Sequence, residues 1–129
     1  MFGTKEDYIE YRIQKSRETF DDAKLLAENK RWNSCVNRLY YSSFYLITAL
    51  LYKNEHKAET HNGVKVQFNL HYLKEGILDL KYGKLYANLF DWRQESDYAD
   101  FIDFDQETVL PLLKQVEDLN TQLIKQIYA

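Results

Sequence analysis

The stretch that most constrains this chain runs over residues 32–52, WNSCVNRLYYSSFYLITALLY. Trp32, Cys35, Val36, Leu39, Tyr40, Ser43, Leu46, Ile47, Leu50 and Leu51 recur at the three- and four-residue spacing of a helix. The other side carries Tyr41, Phe44, Tyr45 and Tyr52, so the helix is apolar or aromatic nearly all round and must be covered by other helices. Asn33, Asn37, Arg38, Ser42 and Ser43 make it too polar to span a membrane. A central helix of roughly 30 Å follows, at ~1.5 Å per residue. Arg38 stands out as a cation in the middle of it.

Around that helix the remaining chain reads as further helices. One Pro and four Gly in 129 residues leave little material for turns and favour a few long elements in one domain. The first helix is expected over 5–29, capped by Thr4, with Ile9, Ile13, Ser16, Phe20, Ala23, Leu26 and Ala27 inward. Glu10, Lys15, Arg17, Glu18, Asp22, Lys24 and Glu28 form its solvated face. Asn29, Lys30 and Arg31 make a short turn, so the first two helices are antiparallel neighbours. A polar loop covers 53–60. Thr60 then caps a short helix carrying Val64, Val66, Phe68, Leu70 and Tyr72 and ending at Gly76. A fourth helix spans about 81–97, with Leu85, Tyr86, Leu89, Phe90 and Trp92 inward. Residues 99–104 read as an extended linker whose Phe101 and Phe104 dock on the bundle. Asp105 or Thr108 caps the last helix, with a stripe of Val109, Leu112, Leu113, Val116, Leu119, Leu123 and Ile127. Pro111 sits easily in the first turn if Thr108 is the cap, and otherwise should kink the helix. The expected fold is all-α, an antiparallel up-down bundle of four long helices plus one short helix.

Charge and composition narrow the function. A net charge of −3 argues against a general nucleic-acid coat, though not against a small local site. The lone Cys35 cannot form an internal disulfide, and no signal-peptide pattern is present, so the expected location is cytoplasmic. Eleven Tyr suit surfaces covered on one side only, such as subunit interfaces or base-stacking platforms. No Glu-x-x-His pair supports a dimetal centre, and His56, Glu59 and His61 read as solvated loop residues, so neither metal nor cofactor is implied. There is no Gly-rich phosphate loop, and Ser42 and Ser43 do not sit on a nucleophile elbow.

Three motifs remain, in order: Asn37, Arg38, Tyr40, Tyr41 and Phe44 (N-R-x-Y-Y-x-x-F); Thr60, His61 and Gly63 (T-H-x-G); and Arg93, Asp97 and Tyr98 (R-x-x-x-D-Y). Together they resemble the HEPN superfamily of small helical domains, in its stand-alone bacterial branch, over roughly 8–125. The resemblance implies an antiparallel helical bundle, a homodimer, a minimal nucleotidyltransferase as partner, and nucleotide or RNA as ligand. Ribonuclease members carry R-x4-6-H, whose Arg holds phosphate while the His handles the proton. Here Arg93 matches the Arg, but Tyr98 stands where the His would be, and a phenol is a poor general base at neutral pH. Tyr45 occupies a position where close relatives often carry His. On the residues alone, Arg93 is more readily an ion pair with Asp97, four residues on, than a phosphate clamp, and acids at 91, 95, 97, 100, 103, 105 and 107 surround it. A buried Arg38 would need a carboxylate, with Asp97 the nearest candidate.

The expectation is a non-catalytic homodimer that binds a nucleotide, RNA or a nucleotidyltransferase, through Asn37, Arg38, Tyr41, Tyr45, His61, Arg93, Asp97 and Tyr98. The dimer interface is expected over 86–104. A metal-independent ribonuclease of the toxin type, using Arg93 with Tyr98 or His61, is the enzymatic alternative. A pure dimerisation module is the third.

Overall fold

The structure is a computed structural model that describes residues 3–98 and 103–129, without the side chains of 94–98. Every regular element among them is helical: α1 (Lys5–Glu28), α2 (Trp32–Lys53), α3 (His61–Phe68), α4 (Leu80–Tyr98) and α5 (Gln106–Ile127), with a wider turn over Asn69–Leu73 extending α3. No described helix is long and apolar enough to cross a membrane.

The aromatic-apolar stretch is the hub. α2 touches all four other helices, and eleven of its residues are buried, from Cys35 to Leu51. The Tyr8–Tyr52 ring pair near one end and the Ser16 hydroxyl on the Ser42 carbonyl (2.6 Å) further along make α1 and α2 antiparallel. α1 enters through the Thr4 cap, whose Oγ1 accepts from the Asp7 amide, and its charged face is exposed throughout. Its inward stripe is Ile9, Ile13, Ser16, Thr19, Ala23 and Ala27, with Phe20 packed at the margin. Lys30 turns the chain with φ 57°, a left-handed conformation that usually falls to Gly.

A polar seam crosses the core. The Ser43 hydroxyl donates to Asn120 Oδ1 (2.7 Å), Asn120 Nδ2 donates to Ser42 Oγ (3.1 Å), and Ser42 Oγ donates to the Leu39 carbonyl. Each buried polar group thus has a partner, and the seam fixes α5 against α2 at one register.

Packing decides two points that the spacing left open. Of the apolar residues carried by α3 and its extension, Val66 and Leu70 are exposed. Residues 64, 66, 68, 70 and 72 are spaced by two, which no helix can place on one face. The four-residue series Val64, Phe68, Tyr72 is the one that is buried, and the wider turn at Asn69–Leu73 adds Leu73 to it. In α5 the cap is Asp105, whose carboxylate accepts from the Thr108 amide. Pro111 is therefore the sixth helical residue. It lies on the exposed face, as does Glu107, whose carbonyl would have met the missing N–H. Phe104 docks as expected, with its ring 5.9 Å from Trp92 and its amide on Asn33 Oδ1. Phe101 lies outside the described residues.

Candidate functional site: tyrosines of α2 under Arg93 and His61

Tyr40 is the floor of the site. It is fully buried on α2, and its hydroxyl accepts from the Tyr86 hydroxyl of α4 at 3.3 Å and lies 2.8 Å from His61 Nδ1. Arg93 of α4 lays its guanidinium over the Tyr40 ring, 5.1 Å from the centroid, and its Nη1 donates to the Tyr41 hydroxyl at 3.4 Å. The Phe90 ring adds a second aromatic contact at 6.0 Å. Such cation–π contacts gain strength when desolvated, and Arg93 is only 9% exposed. His61 is the first residue of α3, placed by the Thr60 cap on the Gly63 amide (2.8 Å). Its ring stacks on Phe44 (4.6 Å, 28°) and meets the edge of Tyr41.

The electrostatics set the protonation states. Burial pushes the Tyr40 and Tyr86 phenols up, so both keep their protons at neutral pH. Burial, then the Arg93 charge, pulls His61 below its ordinary 6.5, so its imidazole is neutral there. Tyr86 donates to Tyr40. The Tyr40 proton is then assigned to His61 Nδ1, which leaves the ring proton of the neutral imidazole on Nε2. The result is a fixed, uncharged imidazole on the same tyrosine ring that carries a guanidinium.

The other candidates from the sequence fall around this pair. Arg38 is half-buried, not enclosed. Its Nε (3.0 Å) and Nη2 (2.6 Å) donate to Asn37 Oδ1, and its guanidinium lies 5.2 Å from the Tyr41 centroid. The Asn37 amide oxygen thus serves two of the guanidinium's donors. Tyr45 lies beside Tyr41 (6.1 Å) and takes the Arg12 guanidinium of α1 on its ring (5.4 Å). Asp97 and Tyr98 close α4, but their side chains lie outside the described residues, as does the expected Arg38–Asp97 contact. Part of the acidic field expected around Arg93 lies among the described residues. Arg93 points into α2, whereas Asp91 and Asp103 are exposed and Asp105 holds the start of α5.

Tyr40, Phe44 and Tyr86 are the residues that sequence reasoning passed over as site candidates, since each reads as core. His56, grouped with His61 as a loop residue, instead stacks on His71 at 3.6 Å.

The described residues thus form a helical domain in which an Arg and a His converge on a tyrosine-rich central helix. The model of the HEPN domain matches residues 9–126, and the chain belongs to that family. A "UPF0332 protein" of Thermotoga maritima is 39% identical over 113 residues, covering 88% of this chain and 86% of that relative. Two proteins of Methanocaldococcus jannaschii, each named "putative toxin", are 32% and 29% identical, covering 70% and 81% of this chain and 68% and 71% of their own lengths.

Proposed function

We propose that this chain is a single HEPN domain, an up-down bundle of four long helices with a short fifth, that binds RNA or a phosphorylated nucleotide through the tyrosine face of α2. Arg93, Arg38 and His61 read the phosphate, while Tyr41 and Tyr45 meet the base or sugar and Asn37 holds Arg38; Asp97 and Tyr98 of the R-x-x-x-D-Y motif are the further candidate ligands. The observation that carries this is the gathering of two guanidinium groups and a neutral imidazole on adjacent tyrosine rings, a local basic-aromatic patch on an acidic chain. Arg and aromatic faces side by side are what a flexible phosphate-linked ligand requires. Binding is the main role because Tyr40 occupies the inner nitrogen of His61 and Arg93 cannot move a proton. The functional unit is a homodimer through 86–104, with a minimal nucleotidyltransferase as protein partner.

Fluorescence anisotropy with a labelled single-stranded RNA at low salt tests the binding claim. Saturable binding that weakens about tenfold or more in Arg93→Gln is expected, on the typical worth of a charge-assisted hydrogen bond. No binding, or equal binding by the variant, would refute it. Sedimentation at micromolar concentration should show twice the 15.5 kDa chain mass. A single-chain species would remove the dimer.

A second reading, a metal-independent ribonuclease, is favoured by one observation. His61 shares Tyr40 with Arg93 and its ring is neutral at neutral pH, so Nδ1 would act as a general base once a substrate hydroxyl takes the place of the Tyr40 hydroxyl on it. It also agrees with the relatives named as toxins. RNA cleavage that resists chelators and disappears in both Arg93→Gln and His61→Ala would make this the function.

A further inference from the structure

Behind the Phe44–His61 wall of the site lies a groove of about 760 Å³, between the first half of α1, the end of α2, and the loop that leads into α3. Its volume lies within the range of ligand pockets. Tyr8 and Tyr52 face it as a tilted pair, 4.6 Å between centroids. The Arg12 guanidinium lies between the rings of Tyr8 (5.2 Å) and Tyr45 (5.4 Å), with Nε donating to the Tyr8 hydroxyl at 2.9 Å. Lys5 sits over Tyr52 at 5.4 Å. No carboxylate pairs with Arg12 among the described residues, and Glu55, one of two acids lining the groove, is largely exposed and turned to Lys5. His61 connects this groove to the Arg93 patch, because it lines the groove and also contacts Tyr40 and Tyr41, while Tyr45, beside Tyr41, holds the Arg12 guanidinium on its ring.

We propose that the groove is a base-stacking subsite for the nucleotide next to the phosphate held at Arg93 and His61, which makes the ligand single-stranded RNA. This deepens, and rests on, the reading of the Arg93 face as a phosphate site. Aromatic side chains with cations between them accept unstacked bases of any sequence, while the bases of a duplex are already stacked and present no free face. Arg12 and Lys5 supply charge for the phosphate that links the two positions.

The test is competition against a labelled single-stranded tetranucleotide, using the same sequence as a duplex and ribose 5-phosphate as a probe without a base. The single strand should bind about ten times tighter than the duplex. Tyr52→Ala and Arg12→Gln should each weaken the tetranucleotide about five- to tenfold, on the order of one stacked base, while Tyr52→Ala leaves ribose 5-phosphate unchanged. Tyr52 is 46% exposed, so its truncation leaves the core intact if Arg12→Gln should disturb α1. Unchanged tetranucleotide affinity in both variants, with loss in Arg93→Gln, overturns the subsite and leaves the phosphate face standing. Absence of binding by any probe to the wild-type protein overturns both.

Discussion

At the scale of single residues, the site depends on which group holds which proton. His61 is packed on Phe44 and tied through Nδ1 to Tyr40, within the field of Arg93. Its pKa lies below 6.5 for two reasons, burial first and the Arg93 charge second. Arg93→Gln removes only the second, so the His61 midpoint followed by NMR should rise in that variant while staying below that of an exposed histidine; an unchanged midpoint would deny the coupling. Stability follows by linkage. Between the lowered folded pKa and the unfolded value near 6.5, the unfolded chain binds the extra proton, so His61 lowers stability as pH falls through that window and has no such effect above it. His56 acts in the same direction, through burial and then His71. Arg93 was legible as a candidate from its Arg-x-x-x-Asp-Tyr setting. The Tyr40–His61 bond was not, because the two lie 21 residues apart and neither spacing nor composition fixes how a loop returns.

Elements were legible where a cap or a stripe spoke for them. Thr4, Thr60 and the seven-residue stripe of α5 stand as their spacing predicts. The inward face of α3 was not legible because its apolar residues alternate, and only tertiary packing decides that Val64, Phe68 and Tyr72 go in. The α1–α2 turn contains an improvable element. Lys30 holds φ 57°, and the Arg31 amide reaches back to the Leu26 carbonyl at 2.8 Å, the six-to-one bond of a glycine-type helix stop. Lys30→Gly should raise stability by about 1 kcal/mol in urea denaturation, since a side chain in that conformation costs about 1–2 kcal/mol and glycine gives part of the gain back as chain entropy. A destabilised Lys30→Gly would mean that the lysine side chain has an unrecognised role.

For the whole molecule, the register between α2 and α5 rests on Ser42, Ser43 and Asn120, which the sequence placed on apolar stripes or left unassigned. Asn120→Ala leaves the Ser43 hydroxyl without its acceptor in a sealed core, which should cost about 1–3 kcal/mol by denaturant melt. A neutral outcome would show that water or repacking replaces the amide. In the same assembly α3 and α4 bring His61 and Arg93 to one tyrosine of α2, the geometry proposed as a phosphate-reading face. NMR of the His61 ring during titration with a 5′-phosphorylated single-stranded RNA tests it. A saturable shift of the His61 signals is expected in the wild-type protein, with its loss in Arg93→Gln. RNA that binds without moving His61, or that shifts it equally in both proteins, would contradict it.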